Sequence, residues 1–367
     1  MVKYLGSKRL LAPAIVAAVR AFGDVRSALD LFSGTARVGR ALKAAGLHVT
    51  SNDHLAFAAT LARCYVEADA REHLRAAERI IDELRRIPPR PGYFTQTFCV
   101  DARYVQPHNG ARVDAIRDAI AQLALPPVLE SIALTSLMEA ADRVDSTTGV
   151  QMAYLKEWAR RSYADLELRV PALLEGPGRA LSLDAAEAAE VEADVAYLDP
   201  PYNQHSYLGN YHVWETLVRW DAPETYGVAN KRTDCRDYKN PFNSKKRIAG
   251  ALAEVIARVR APHLIVSFSD EGNLSRAQLE AMLGTRGHVR VVAADFKRYV
   301  GAQIGIYNPR GEKVGKISHL RNREMLFFVS PDRAAVERAK EAALRELGER
   351  SRPAADAEPA PSVRAAR

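Results

Sequence analysis

Four consecutive residues near the middle of the chain, Asp199-Pro200-Pro201-Tyr202, have side chains that could act on a planar base. They follow the apolar run Val195 to Leu198, which predicts a buried strand. Neither proline can donate a backbone hydrogen bond and both fix φ near about −65°, so the turn is stiff and its carbonyl groups can accept. A carboxylate, a carbonyl and an aromatic ring at one corner suit a planar molecule with an exocyclic amine, such as adenine. The alternative is a loop that only ends a strand, and these residues alone do not decide between the two.

A second group of residues favours an adenosine-containing cofactor. Gly34 lies in a turn between a predicted strand over 27–32 and a predicted helix over 37–45. Glycine lets the backbone approach a ligand, and the N-terminus of a helix favours an anionic group. Asp53 ends the next predicted strand, about 20 residues further on, where a carboxylate can bind both hydroxyls of a ribose. Its alternative role is a helix cap, and the lack of a GxGxxG pattern argues against NAD.

Composition and charge favour an anionic partner. The 367 residues allow two domains or one large domain with an insertion, and a hydrophobic content of 47% is ample for a packed core. The net charge of +7 favours nucleic acid, although solubility alone also explains it. Cys64, Cys99 and Cys235 form no CxxC pattern, so we expect neither a metal site nor a disulfide framework. No apolar signal region or membrane-spanning run is present, which predicts a soluble, cytoplasmic protein.

The order of predicted elements indicates an α/β fold interrupted by helices. A helix over 10–22 precedes a β-α-β unit that ends at Asn52-Asp53. Between 55 and 175 the patterns are almost all helical, with predicted helices over 72–87, 112–123, 128–141 and 163–174. The patterns after this segment predict strands over 180–183, 195–198, 264–268, 289–292 and 325–329, and helices over 211–220 and 248–259. They also predict a polar loop over 221–246, a hairpin around 308–311 and a disordered tail over 351–367.

The succession of motifs resembles the Dam-type, or alpha-group, DNA adenine-N6 methyltransferases. The resemblance runs from Lys3 to about Val329, and the motifs that carry it are Tyr4-Leu5-Gly6-Ser7-Lys8, Asp30-Leu31-Phe32-Ser33-Gly34, Asp53 and Asp199-Pro200-Pro201-Tyr202, with Asn210-Tyr211-His212-Val213 and Arg321 to Phe328 in support. It implies a Rossmann-like sheet that uses S-adenosylmethionine, formed by residues 1–54 and 176–335, with a helical target-recognition insertion over 55–175. Ala36 and Ser7 depart from the family, which often has glycine at both places.

The resemblance also implies individual roles. Tyr4 and Lys8 would contact S-adenosylmethionine, Phe32 and Gly34 would line its methionine portion, and Asp53 would bind its ribose. Asp184 would bind the adenine of the cofactor, although a surface acid after a strand is nearly as good an interpretation. Asp199, which also borders the cofactor, and the carbonyl of Pro200 would accept from the N6 amine of the target, and Tyr202 would stack on the flipped base.

Duplex DNA is the expected partner, and a basic run in the polar loop is its predicted contact. Aromatic residues interleave with the basic ones, which can hold phosphates and an extruded strand. The basic residues are Lys231, Arg232, Lys239, Lys245, Lys246 and Arg247, and Arg112, Arg117 and Arg143 in the insertion are further candidates. The alternative is a solvated surface loop. A cognate restriction endonuclease is a further candidate partner, and we expect a monomer or a weak dimer.

Three other functions fit the same motifs. An RNA adenine-N6 methyltransferase would meet the same amine on a flipped base. A protein-glutamine methyltransferase typically carries Asn before Pro-Pro-Tyr, whereas this chain has Asp199. A non-catalytic nucleic-acid-binding protein could keep the fold, but intact Asp199 and Tyr202 argue against loss of activity.

Overall fold

The centre of the molecule is an eight-stranded β-sheet. The structure, a computed structural model, describes residues 1–155, 157–297, 321–348 and 351–352. The strands are β1 (Ser27–Asp30), β2 (His48–Asn52), β3 (Gly178–Leu181), β4 (Val195–Leu198), β5 (Thr225–Tyr226), β6 (Lys231–Arg232), β7 (His263–Ser269), β8 (His288–Lys297), β9 (Arg321–Ser330) and β10 (Ser351–Arg352). Strands β5 and β6 form a separate antiparallel hairpin.

The strand order in the sheet is β10-β8-β9-β7-β4-β1-β2-β3. Five neighbouring strands, β7, β4, β1, β2 and β3, are parallel to one another. Strand β9 runs antiparallel to both β7 and β8. Because β1, β2 and β4 are parallel, their carboxyl ends lie at the same edge of the sheet. Asp30, Asp53 and Asp199, which end or follow these strands, are therefore brought to one edge, where open α/β sheets bind ligands.

Helices cover both faces of the sheet. They are α1 (Ala12–Phe22), α2 (Arg37–Ala44), α3 (Ala56–Ala62), α4 (Ala70–Arg85), α5 (Pro107–Gln122), α6 (Pro127–Arg143), α7 (Ala185–Ala188), α8 (Tyr207–Asn210), α9 (His212–Arg219), α10 (Asp234–Asp237), α11 (Ile248–Arg258), α12 (Arg276–Gly284) and α13 (Arg333–Leu347). Strand β4 shows why both faces are needed, since all of its residues are buried. Its Val195 and Tyr197 join a hydrophobic cluster with α1, α3 and α6, while Ala196 and Leu198 join a second cluster with α11 and α12.

The segment between β2 and β3 contains α3 to α6, in line with its helical patterns. Its apolar residues, such as Leu61 and Ile132, share one hydrophobic cluster with Val49 of β2 and Tyr197 of β4. The segment is therefore continuous in its packing with one face of the sheet. Its role in target recognition stays a prediction.

The predicted helix over 163–174 is wrong. A 3₁₀ turn, Arg160–Tyr163, ends where the helix was expected to begin, and the chain then runs without helical structure. Leu166 and Leu168 are buried at alternate positions, the spacing of an extended segment. Side chains replace the helical hydrogen bonds: the carbonyls of Glu167, Leu168 and Arg169 accept from Arg143 (2.5 Å), Arg85 (3.0 Å) and Ser136 (2.7 Å).

Helices α3, α7 and α8 were not predicted, and further differences lie towards the C-terminus. Helices α12 and α13 were not predicted, and the polar loop 221–246 contains β5, β6 and α10. The predicted hairpin around 308–311 and residues 353–367 of the predicted tail lie outside the described residues, while Ser351–Arg352 pair with β8. Of the helices that the structure describes, none has the length and apolar character to cross a membrane.

Candidate active site

A cleft opens at the carboxyl edge of the parallel strands. Its empty volume, which includes open solvent at its mouth, is about 990 Å³. The predicted site residues that line the cleft are Tyr4, Lys8, Phe32, Gly34, Asp53, Asp184 and Asp199. The structure therefore brings together the N-terminal loop, the first turn and the acidic corner, which are far apart in sequence.

The first turn is fixed by Asp53. Its Oδ2 accepts from the backbone N–H of Gly34 at 2.9 Å and its Oδ1 accepts from that of Leu55 at 3.1 Å. The bond to Leu55 closes a local turn before α3, whose N-cap is Leu55 with no side-chain cap hydrogen bond, so the alternative of a helix cap is wrong. Asp53 lines the cleft. Burial raises the pKa of Asp53 above its ordinary value, against the hydrogen bonds that lower it.

The two small residues of this turn adopt left-handed backbone conformations. Gly34 has φ 51°, and a Cβ atom there would lie 3.0 Å from the ring of Tyr4. Ala36, which departs from the family's glycine, has φ 57° and is completely buried. The alanine therefore adopts a conformation that glycine adopts most easily.

Among the described residues, four buried polar atoms of residues that line the cleft take part in no hydrogen bond. They are Asp30 Oδ1, Ser33 Oγ, Arg37 Nε and Asp199 Oδ1. The other carboxyl oxygen of Asp30 accepts from the N–H of Gly39 at 2.9 Å, and burial raises the pKa of Asp30 to about 7. Unpaired buried acceptors are unfavourable unless a ligand completes them. Sequence analysis missed Asp30 as a site residue, although its position as the last residue of a buried strand before a glycine turn was the available signal.

The acidic corner is held by a buried ion pair. Lys8, only 7% exposed, places Nζ 3.0 Å from Asp199 Oδ1 and 3.7 Å from Glu324 Oε2, and it donates to the carbonyl of Gly6. Lys8 was expected to contact a cofactor, and the structure turns its ammonium to these carboxylates. Burial alone would lower the pKa of Lys8, but the attraction of Asp199 and Glu324 raises it well above its ordinary value.

Asp199 is divided between the ion pair and the cleft. Its Oδ1 is buried and receives no hydrogen bond of good geometry, whereas the side chain as a whole is 17% exposed and lines the cleft. Burial raises the pKa of Asp199 to about 6, while Lys8 lowers it and Glu324 raises it. The carboxylate therefore has unused capacity to accept hydrogen bonds from a ligand.

Tyr202 and the prolines complete the corner. The Tyr202 hydroxyl donates to Glu324 Oε1 at 3.4 Å, and its ring packs against Phe268 with centroids 5.2 Å apart. Pro201 lines the cleft, whereas Pro200 is buried and is not among the lining residues. Tyr202 lies beside the lining residues, within 5.7 Å of the Lys8 ammonium. The roles expected of Pro200 and Tyr202 stay predictions.

An aromatic stack joins the N-terminal loop to the chain that follows the acidic corner. The ring of Tyr4 is stacked on Tyr211 at 4.7 Å and on Tyr207 at 5.2 Å. Tyr207 lines the cleft and was missed, because nothing in the sequence indicates that α8 packs against residue 4. Tyr238 and His54, which also line the cleft, stack on each other at 5.1 Å. These rings give the cleft an aromatic lining.

The structure separates the predicted basic contacts into two groups. Lys239, Lys245, Lys246 and Arg247 are exposed, and Lys231 is half-exposed. Arg232 contradicts its prediction: it is 2% exposed, and its guanidinium pairs with Asp221 at 2.7 Å and with Asp234 at 2.9 Å. Because both acids neutralise it inside the protein, Arg232 stabilises the hairpin and cannot reach a phosphate.

The three arginines proposed in the insertion hold backbone carbonyls. Arg117 is 5% exposed, donates to the carbonyls of Leu217 and Val218, and stacks on Trp220. Arg112 and Arg143 donate to the carbonyls of Ile87 and Glu167. Arg117 is therefore excluded as a DNA contact, and the guanidinium groups of the other two are already engaged.

A family model described as D12 class N6 adenine-specific DNA methyltransferase matches residues 4–256. The modification methylase StsI of Streptococcus sanguinis is 29% identical over 324 residues, which cover 82% of this chain and 49% of StsI. The type II methyltransferase M.NlaIII of Neisseria lactamica is 28% identical over 304 residues, covering 79% of this chain and 89% of M.NlaIII.

The type II methyltransferase M.FokI of Planomicrobium okeanokoites is 28% identical over 301 residues, which cover 75% of this chain and 46% of M.FokI. The chain thus spans about half the length of StsI and M.FokI and most of M.NlaIII. The family match contains the N-terminal loop, the first turn and the acidic corner.

Proposed function

From the premise that the chain belongs to the D12 class N6 adenine-specific DNA methyltransferase family, we propose that it transfers a methyl group from S-adenosylmethionine to N6 of adenine at specific sites in duplex DNA. We further propose that it is a Dam-type, alpha-group member. The order of its motifs supports this assignment, because the cofactor turn at Gly34 precedes the helical segment 55–175 and the acidic corner at Asp199 follows it.

One observation carries the proposal. Asp199 lies in the same cleft as Gly34 and Asp53, with one oxygen facing Lys8 and the rest of the side chain reaching the cleft. A ligand bound at the first turn and a base presented to Asp199 would therefore meet within one pocket. Alignment of two reactants in this way accounts for much of the catalysis of a transfer reaction.

The residues of the cleft fit S-adenosylmethionine. Asp30 Oδ1 is an unpaired buried acceptor that suits the ammonium of an amino acid, and the carboxylate of Asp53 suits ribose hydroxyls. Asp184 at the rim, where its side chain caps α7 by accepting from the N–H of Ala186, would border the adenine. When bound, the cofactor supplies an electrophilic methyl group on a sulfonium.

The work of the protein is then to activate a weak nucleophile. The lone pair of the adenine amine is delocalised into the ring, and positive charge develops on N6 as it reacts. The carboxylate of Asp199, fixed by Lys8 and the stiff turn, accepts from the amine and stabilises that charge. Asp199 need not be a strong base, because the N6 proton becomes acidic only as this charge develops.

The target adenine has to leave the duplex to reach Asp199, at a cost of a few kcal/mol. Tyr202 offsets part of this by stacking, worth on the order of 1–3 kcal/mol per base. Exposed Lys239, Lys245, Lys246 and Arg247 supply the phosphate contacts, and the segment 55–175 reads the site. The name modification methylase, carried by StsI, supports a role in DNA modification, and a restriction endonuclease as partner stays a prediction.

The proposal is tested with labelled S-adenosylmethionine offered with plasmid DNA, RNA or a protein mixture. We expect label in duplex DNA only, recovered as N6-methyladenine after digestion. Asp199→Ala should abolish transfer while binding of S-adenosylhomocysteine weakens less, because the first turn is untouched. Asp165→Ala is the matched control, since its side chain is 98% exposed. An unchanged rate in Asp199→Ala, or label only in RNA or protein, would refute the proposal.

A further inference from the structure

We propose that Glu324 is a positioning residue of this site, which holds Lys8 and Tyr202 around Asp199 and adds a second negative charge to the acidic corner. The inference rests on the proposed function and deepens it. Glu324 lies outside residues 4–256, the part of the chain that matches the family model.

The topology explains how a residue so late in the sequence reaches the corner. Strand β9 is antiparallel to β7, and Glu324 pairs with Ser269 at the carboxyl end of β7. Strand β7 is in turn parallel to β4, whose carboxyl end leads to Asp199. Because β9 runs in the opposite direction, its amino-terminal half lies at the edge of the sheet where the parallel strands end.

The carboxylate of Glu324 contacts two groups of the corner through different oxygens. Its Oε2 lies 3.7 Å from Lys8 Nζ, and its Oε1 accepts from the hydroxyl of Tyr202 at 3.4 Å. The side chain is only 13% exposed, and Oε2 receives no hydrogen bond among the described residues. One side chain therefore joins the lysine that fixes Asp199 to the tyrosine proposed to stack on the base.

The charge balance of the corner argues for more than a structural ion pair. A single carboxylate would neutralise Lys8, and a simple pair of that kind would need no role beyond structure. Here Asp199 and Glu324 share one ammonium, which leaves the corner with net negative charge when both are ionised. Such a corner favours the positive charge that develops on the adenine amine.

Glu324 also influences the protonation of Asp199. Burial has the largest effect on the pKa of Asp199 and raises it. Of the smaller effects, Lys8 lowers this pKa and Glu324 raises it. The other titratable groups that interact with Asp199 are Tyr4, Asp30, Tyr197, Tyr202 and Tyr207. Removing the charge of Glu324 should therefore let Asp199 stay ionised to lower pH.

The test compares the pH dependence of DNA methylation, from pH 5 to 8.5, in wild type and Glu324→Gln. The amide keeps the size of the side chain and can still accept from Tyr202, so it removes mainly charge. On the acid side of the profile the rate falls as Asp199 becomes protonated, and we call this part the acidic limb. We expect the acidic limb of Glu324→Gln to lie at lower pH than that of wild type. The plateau rate should fall on the order of tenfold, less than the roughly 10²–10³-fold loss typical of a group that contacts the reacting atoms.

Two further variants make the result specific. Lys8→Met should move the acidic limb in the opposite direction, to higher pH, because it removes the cation beside Asp199. Glu254→Gln, on α11 with a side chain 52% exposed, should leave the profile unchanged. A purely structural role for Glu324 would lower the rate without moving the limb.

The outcomes separate this inference from the proposed function. If wild type methylates DNA and the limb of Glu324→Gln coincides with that of wild type or moves to higher pH, the inference is overturned alone. If wild type yields no N6-methyladenine, the proposed function fails and the inference fails with it. If Glu324→Gln is folded but too slow to profile, Glu324→Asp decides: recovery of rate supports a charge role, and equal inactivity overturns it.

Discussion

At the scale of the residue, Gly34 shows how closely the first turn is fitted. Its φ of 51° is unfavourable for other residues, and a Cβ atom would press against the ring of Tyr4, which is itself stacked on Tyr207 and Tyr211. The turn therefore depends on the absence of a side chain at this position. The same ring connects the proposed cofactor side of the cleft to α8, which follows the acidic corner.

We expect Gly34→Ala to weaken binding of S-adenosylhomocysteine on the order of tenfold and to destabilise the fold by about 1–2 kcal/mol, because a left-handed alanine is strained. Isothermal titration calorimetry and urea unfolding measure the two effects. Gly250→Ala is the control, since Gly250 lies in α11 with nothing within 4 Å of the added Cβ. It should stabilise by roughly 0.5–1 kcal/mol. Wild-type affinity in Gly34→Ala would show that the turn does not contact the cofactor.

The acids of the site could be predicted from sequence only where a local pattern places them. Asp53 and Asp199 each come directly after a predicted strand, although only the strand before Asp199 is apolar, and parallel strands bring such residues to one edge. Glu324 could not be placed in this way, because its strand runs antiparallel to its neighbours. Its two partners, Lys8 and Tyr202, are also far from it in sequence. The partner of a buried charge is decided by tertiary packing.

At the scale of the element, the β5–β6 hairpin shows the same limitation. Its basic residues look alike in sequence, but Arg232 is enclosed by Asp221 and Asp234 while Lys231 stays half-exposed. The hairpin is thereby tied to α9 as well, since Arg232 also donates to the hydroxyl of Thr216 at 3.2 Å.

We expect Arg232→Met to lower the free energy of unfolding by about 2 kcal/mol, the range for removing hydrogen bonds between charged groups. The decrease stays moderate because Asp221 and Asp234 are partly exposed and can be hydrated once the arginine is gone. Urea unfolding measures the change, with Lys239→Met as the exposed control. Unchanged stability would contradict a structural role for Arg232.

The exposed run should act on DNA affinity instead. Replacing Lys245, Lys246 and Arg247 by glutamine should flatten the dependence of log K on log salt by about 0.9 for each phosphate that is no longer neutralised, because fewer counterions are released. Fluorescence anisotropy with a labelled duplex at several salt concentrations measures the slope. An identical slope would place the DNA-binding surface elsewhere.

Several elements were predicted well although their apolar patterns differ in strength. Strands β4 and β7 are mostly apolar, whereas Val49 is the one apolar residue of β2. These strands, β1 and helix α2 all lie close to where the sequence put them. The segment 163–174 was assigned to a helix although Leu166 and Leu168 alternate and Pro171 follows. Helix α12 was missed although Ser275 and Gln278 form a capping box, a signal visible in sequence.

At the scale of the whole molecule, the sheet and the segment 55–175 share one hydrophobic cluster. The sequence predicted the helices of this segment but not that they would pack on the same face as α1 and α9, since apolar periodicity does not identify the surface it packs against. The segment proposed to recognise the target and the sheet proposed to carry the catalytic site therefore share one packed core. Buried carboxyls in and near this core connect the stability of the whole molecule to pH.

Asp30 contributes to this dependence near neutrality, because burial raises its pKa to about 7. In the unfolded chain the same group ionises near about pH 3.9, so between these values the native state holds a proton that the unfolded state has lost. Its contribution to stability is fully present at low pH and is lost as pH rises through about 7. Below about pH 6.5 His212 acts in the opposite direction, since burial lowers its pKa to about 3.

We therefore expect the free energy of unfolding to fall as pH is raised from about 6.5 to 8, and to fall less steeply in Asp30→Asn. Asparagine stays neutral at every pH and can still accept from the N–H of Gly39, so it imitates the protonated acid. Urea unfolding at several pH values in this window gives the two slopes, and Asp165→Asn, at a highly exposed position, should reproduce the wild-type slope. Equal slopes in wild type and Asp30→Asn would mean that Asp30 is already ionised below neutrality, which would also make it a carboxylate when a cofactor ammonium binds.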